Sequence, residues 1–427
     1  MNAYNAYFVA MILYIPFVKH FPLVLPLKGL NGINLMFLGG LIAVLAHKGS
    51  KSQMRTPLKY HFIFLMMALT WGFVMGILYD ASSFDEDVTK FKTALFYPLL
   101  YFLFYHAARD FKTIRVFFYA IMAVAALVAL QGTRQALDYG IGSFAISHRV
   151  HGPFATDYRG ANLASAYFVI FIPIFYAVFL SYKSRPWIRL MALPAMFFAV
   201  FATFFTFSRQ AYFILAVQFM LQTVRRNAFF AIFIIGAVAS YQLWAPESVV
   251  QRLEMTEQED ASSGGEAKLD TSTESRFILW GGAMQMFTRA PWGVGLTHFS
   301  RHIGEYAPQY AGMDAHNGYV LITAEMGLLG LAAIVTLVIG LWSLARKVEK
   351  LDKSEDTQVF GSGYAISVVG LAACNLFGTR FFDGEVVGNF WILSALVARY
   401  YTLTLETRAK AAQAIVPPQP TAIPQAA

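Results

Sequence analysis

"HNGYVLITAEMGLLGLAAIVTLVIGLWSLARKVEK" occupies residues 316–350. Between 317 and 345 it carries a single formal charge, Glu325, before Arg346 and Lys347 close the run. A stretch of that length exceeds the ~20 apolar residues an α-helix needs to cross a bilayer. Its apolar residues are continuous rather than alternating, which excludes a strand of a membrane β-barrel. The segment reads as a spanning helix with a polar entrance and a basic exit.

Comparable runs recur at 4–18, 30–46, 60–78, 93–107, 113–131, 161–181, 187–206, 210–224, 228–244, 317–345, 359–378 and 386–404. Only 14% of the 427 residues are charged and 57% are hydrophobic, against about a quarter charged in a soluble domain. The expected fold class is therefore an all-α polytopic membrane protein with about twelve transmembrane helices. The opening "MNAYNAYFVAMILYIPF" lacks a basic flank and a small-residue cleavage site, so it reads as a retained first helix. Cys374 is the only cysteine, which excludes a disulfide framework and a cysteine metal site.

Loop charge sets the orientation. "HKGSKSQMRTPLKY", "ARDFKTIR", "SYKSRPWIR", "RRN" and "ARKVEKLDK" follow even-numbered helices. They are short and basic, as cytoplasmic loops are. The acidic "YDASSFDEDVTK" and the long 245–315 segment then face outward. The expected layout is helices 1–9 over 1–244, an outer loop with a surface helix over 245–315, helices 10–12 over 316–404, and a disordered cytoplasmic tail over 405–427. Within the loop, "EMTEQEDASSGGEAKLD" reads as mobile, and Ser272 or Thr273 is placed to cap a helix from about 274 to 288. Phe277, Ile278, Trp280, Gly281, Met284 and Phe287 follow helical spacing, which suits a helix lying against the membrane surface or on the bundle.

Six arginines fall on the outer side against the usual charge bias: Arg149, Arg159, Arg209, Arg276, Arg301 and Arg380. Arg209 stands between two apolar runs in "FFTFSRQAYFIL". A guanidinium at a helix centre costs about 2.5–3.5 kcal/mol on insertion scales, less near the interface. Snorkelling or a local carboxylate is the ordinary role of each arginine alone. Together they suit phosphate or diphosphate, which the planar guanidinium fork matches. His316 is placed at the outer end of helix ten, with Tyr319, Val320, Thr323 and Gly327 on its face. Glu325 points to the other side and lies about 13 Å deeper. Gly327 and Gly330 are read as positions of close helix packing. A histidine titrating near neutrality can take a proton from a hydroxyl.

The His-Asn pair at His316 and Asn317, followed after nine residues by Gly327-x-x-Gly330, resembles the signature of the O-antigen ligase/polymerase superfamily. "SRQAY" after a helix and "SRFILWGGAMQMFTRAPWGVGLTHF" before the histidine resemble the same family. The resemblance implies a bacterial inner-membrane glycosyltransferase whose site faces the periplasm. Its partners would be an undecaprenyl-diphosphate-linked glycan, an acceptor on lipid A–core, another glycan or a protein, and the lipid bilayer. No nucleic acid, cofactor or metal is implied. Transfer would be inverting and metal-independent. By motif, Arg209 and Arg276 would hold the diphosphate and His316 would position or deprotonate the acceptor hydroxyl. Arg149 and Arg159 compete for a further basic position, and Asn317 and Arg380 complete the expected substrate contacts. The nearest approach to an acidic metal pair, "FDED" at 84–87, reads as a loop charge.

A repeat-unit polymerase of the same superfamily is the chief alternative, on the paired Arg-x10-Gly spacings Arg149…Gly160 and Arg301…Gly312. A protein O-oligosaccharyltransferase would use the same donor. A lipid-linked glycan flippase would show internal repeats and broken or charged helices at midplane. The sequence shows no such repeats, and its unusual charges cluster at the outer boundary.

Overall fold

The computed structural model describes residues 2–22, 31–47, 54–225, 228–261 and 271–415. Among these residues every extended regular element is helical. In order they are α1 (Ala3–Tyr14), α2 (Gly32–Ala46), α3 (Lys59–Tyr79), α4 (Phe84–Ala107), α5 (Phe111–Tyr139), α6 (Ala161–Ser181), α7 (Pro186–Phe205), α8 (Arg209–Val224) and α9 (Ala228–Ala239). There follow α10 (Tyr241–Trp244), α11 (Glu247–Ala261), α12 (Thr271–Arg289), α13 (Phe299–His302), α14 (Gly318–Glu349), α15 (Glu355–Gln358), α16 (Tyr364–Cys374) and α17 (Gly384–Ile415). Among the described residues, six helical segments are long and apolar enough to cross a membrane: Lys59–Tyr79, Phe111–Tyr139, Tyr158–Ser181, Pro186–Phe205, Gly318–Glu349 and Glu355–Cys374. The chain is a multi-pass helical membrane protein.

Several expectations shift. The expected ninth span ends at Ala239, and Ser240 separates it from α10. The segment expected to be mobile begins with α11, and 262–270 lie outside the described residues. Helix α12 covers the expected 274–288, while the capping side chains of Ser272 and Thr273 lie outside the described set. Its buried face is Leu279, Ala283 and Met286, whereas Phe277 and Met284 are exposed. The helix is apolar on more than one side, so periodicity had no single face to select. Helix α17 runs on to Ile415 through "LETRAKAAQA", rich in strong helix formers. The expected disordered tail is thus helical over 405–415, and 416–427 lie outside the described residues.

Helix α6 is the hub, nearly all of it buried, packed against α7, α8 and α16. Pro173 lies inside it. Proline has no N–H, so the carbonyl four residues earlier loses its partner. Gln218 on α8 donates to that carbonyl, Val169 O, at 2.8 Å. A neighbouring side chain thus satisfies the backbone where no water reaches.

Contacts sort the connections into two ends. At one, Lys19 pairs with Glu385 at 2.5 Å, Asp87 meets His298, and Thr379 meets Asp314. At the other, Arg115 and Arg185 pair with Asp356, Arg225 with Glu349 and Arg408 with Asp352. All the sequence-nominated arginines and His316 belong to connections at the first end or to helix ends adjoining it.

Gly327 does not simply pack. Its φ of 63° and ψ of −163° break α14. The break strips the carbonyls of Ala324 and Glu325 of helical donors, and a re-entering segment takes their place. Val294 N–H donates to Ala324 O and Gly295 N–H to Glu325 O, both at 3.0 Å, while Leu296 N–H reaches Gly72 O at 2.9 Å. A Cβ at Gly327 would lie 2.5 Å from Pro291 O, and one at Gly293 (φ 93°) would collide with the backbone of Glu325. Irregular backbone survives at membrane depth only where it is buried in protein like this.

Candidate active site

Helix α14 begins at Gly318, so His316 stands before it, in a turn with φ of 52°. The helical face assigned to it with Thr323 and Gly327 therefore does not apply. Asn317, expected among the substrate contacts, is the helix cap: its Oδ1 accepts from the N–H groups of Tyr319 and Val320 at 3.0 and 3.1 Å. Such a cap satisfies donors that the first helical turn leaves unpaired.

Two elements clamp the turn. Gly318 N–H reaches the carbonyls of Asn375 and Gly378 at 2.7 and 2.8 Å. Trp280 Nε1 on α12 donates to Ala315 O at 2.9 Å, and Thr379 Oγ1 donates to Asp314 Oδ2 at 2.6 Å. Arg276, one helical turn before Trp280, is carried to the same place. Burial lowers the pKa of His316; Asp314, 4.0 Å from its Nδ1, works to raise it, while Arg276 and Arg380 lower it further. Arg380 is itself held by Asp383 at 2.7 Å. The ring thus rests neutral at pH 7, half-buried, with a lone pair available.

Beside this turn lies a cavity of about 490 Å³. Asp314, Thr379, Asp383, Lys90, Thr297 and the buried Glu325 are among its walls. Glu325 Oε1 accepts from Phe299 N–H at 3.2 Å, so the carboxyl also ties α14 to the re-entering segment. The sequence marked Glu325 as an intramembrane charge, but its partner comes from a loop that periodicity cannot place.

A second basic group forms around the α7–α8 turn. Val150 N–H pairs with Phe205 O, and Arg149 Nε donates to Thr206 O, each at 2.8 Å. Arg149 Nη2 also donates to Asn162 Oδ1 at 2.9 Å. Burial lowers Arg149 to about 10, and the neighbouring Arg252 adds to the shift. Two guanidiniums in a buried setting make a region prepared for an anion. Arg209 lines an adjoining cavity of about 580 Å³, walled chiefly by apolar residues such as Phe213, Phe219, Ile234, Val238 and Trp244.

The structure thus joins His316 with Arg276 and Arg380, and sets Arg149 with Arg252 near Arg209. Arg159 is exposed and pairs with Asp157 at 3.1 Å, so it belongs to neither group. Arg301 is engaged by Asp87 at 2.8 Å. Asp87, read as an ordinary loop charge, is buried and bonds His298 at 2.9 Å as well. Arg252 escaped the sequence reading because its segment looks like acidic, solvated loop; Val249 and Leu253 on α11 turn it inward.

No curated protein matches the chain. Residues 194–335, about a third of the chain, match the family model described as O-Antigen ligase, and this similar span holds Arg209, Arg276, His316 and the α14 break.

Proposed function

We propose that the protein transfers a glycan from undecaprenyl diphosphate to an acceptor hydroxyl at the periplasmic face of the bacterial inner membrane, by metal-independent inverting displacement. His316 carries this reading. It is a neutral imidazole, fixed by its turn, beside a cavity and two arginines. Arg149 and Arg209 receive the diphosphate, and the apolar cavity next to Arg209 accommodates part of the prenyl chain. Arg276 and Arg380 keep His316 unprotonated and order the acceptor.

In the reaction the acceptor oxygen attacks the anomeric carbon. The bond from that carbon to the diphosphate oxygen breaks, and the diphosphate departs with the electron pair. His316 takes the hydroxyl proton. Guanidiniums facing the leaving group stabilise charge that grows in the transition state. Separate placement of the base and the second basic group suits attack from the side opposite the leaving group. The engagement of Arg301 by Asp87 takes one arginine from the paired spacing that favoured a polymerase.

Proteoliposomes supplied with a lipid-diphosphate glycan and candidate acceptors test the reading. The expected result is acceptor-linked glycan of inverted anomeric configuration, with one lipid diphosphate released per transfer. A ladder of lipid-linked glycan would assign the polymerase reaction instead, and glycan crossing the bilayer without transfer would assign a flippase.

A further inference from the structure

A set of metal-ligating side chains lies outside the site described above. Asp80 caps the C-terminus of α3, His298 is the N-cap of the short α13, and His302 is its last residue. One ligand atom from each lies within 4.8 Å of the other two. Spaced four residues apart, the histidines share a face. His298 is fully buried.

The hydrogen bonding of both rings favours coordination. His298 Nε2 lies 2.9 Å from Asp87 Oδ2, and His302 Nδ1 lies 2.9 Å from Glu305 Oε1. A carboxylate only accepts, so the Glu305 contact places the proton on His302 Nδ1 and leaves a lone pair on its Nε2; the Asp87 contact does the same for His298 in the tautomer protonated at Nε2. Those other nitrogens, His298 Nδ1 and His302 Nε2, are buried and have no hydrogen-bond partner among the described residues. Arg301 Nη1 also lies 2.9 Å from His298 Nε2; a guanidinium only donates, so that contact favours the opposite tautomer, and metal binding at Nδ1 would displace it while Arg301 keeps Asp87 and Glu86, at 2.8 and 3.4 Å. The third member, Asp80, accepts from Ser82 N–H at 2.9 Å. Carboxylate–histidine pairs with the opposite nitrogen open, together with a hydrogen-bonded carboxylate, are the surroundings metal ligands ordinarily have.

We propose that Asp80, His298 and His302 bind a divalent transition metal, with Zn²⁺ the best fit. Two imidazoles and a carboxylate suit zinc, with water in a fourth position. Bonds of about 2.0–2.1 Å put tetrahedral ligand atoms about 3.4 Å apart, within reach of small side-chain rotations from the present spacing. The metal would staple the α3–α4 turn to the segment that carries Thr297, Phe299 and Ser300, part of the wall of the 490 Å³ cavity. Its role is structural, and it does not depend on the identity of the glycan reaction.

Tag-free protein, purified in detergent and stripped with chelator, is titrated with Zn²⁺ against a competing chromophoric chelator, and thermal unfolding is followed with and without the metal. Wild type is expected to bind one Zn²⁺ per chain and to unfold at higher temperature with it. Asp80→Asn and His302→Gln leave the His298–Asp87–Arg301 contacts in place. Each is expected to weaken binding tenfold or more and to lose the thermal response. Zinc binding by both variants equal to wild type, or a wild type that binds no stoichiometric zinc, overturns the proposal.

Discussion

His316, Thr297 and Phe207 share left-handed backbone, with φ of 52°, 69° and 50°. Such conformations cost on the order of 1–3 kcal/mol for residues other than glycine. These three flank or include His316, His298 and Arg209, so the turns spend stability where side chains must be held. Two predictions belong at this scale. Burial and two arginines lower the pKa of His316 below its ordinary value, and only the neutral ring accepts a proton. Transfer measured as kcat/KM should therefore fall on the acid side with a limb centred below about 6.5; an acid limb centred above about 6.5 would contradict this. Arg149→Ala should weaken donor binding strongly while Arg159→Ala stays near wild type, because the first side chain is buried beside Arg252 and the second is a surface ion pair. Equal losses in binding assays with lipid diphosphate would remove the distinction. The sequence supplied both arginines and the histidine by residue type and spacing. It could not choose between Arg149 and Arg159, since the choice depends on which one the α7–α8 turn covers.

Among the elements, α14 and the segment 291–296 depend on each other. The glycines of "PWGVGL" and Gly327 were legible as glycines, yet their purpose emerges only when two distant pieces of backbone meet. Gly327 was read as a packing position because spacing along one helix cannot reveal that the helix is broken. Gly293→Ala should destabilise the protein by at least about 1–3 kcal/mol, since a Cβ there meets Glu325 backbone at positive φ. Thermal unfolding in detergent measures this, and an unchanged Tm would show that the two segments do not approach as described. Gln218→Leu removes the donor to Val169 O beside Pro173. Leaving that buried carbonyl unsatisfied should cost about 1–3 kcal/mol, and Pro173→Ala, which restores the N–H, should recover part of the loss in the double variant. No recovery would mean that Gln218 acts through other contacts, such as Ile366 O.

For the whole molecule, helicity and burial in a membrane were readable because composition and continuous apolar runs leave few other folds. The loop between α9 and α14 was less readable: α12 is apolar on several faces, and α11 follows an acidic pattern with only a narrow buried stripe. The contacts nevertheless separate two ends, and the charge rule assigns the basic end to the cytoplasm. Cys374 is buried, so an introduced cysteine reports alone. Gly142→Cys should react with an impermeant thiol reagent in intact spheroplasts, and Lys353→Cys only after permeabilisation; the reverse pattern would invert the protein. The most direct measurement compares wild type and His316→Ala in proteoliposomes, reading donor binding and glycan transfer separately. Loss of a general base costs about 10²–10⁴-fold in rate. The account predicts a fall of that size in transfer with donor affinity retained, because Arg149 and Arg209 remain. Transfer by His316→Ala close to the wild-type rate would contradict it.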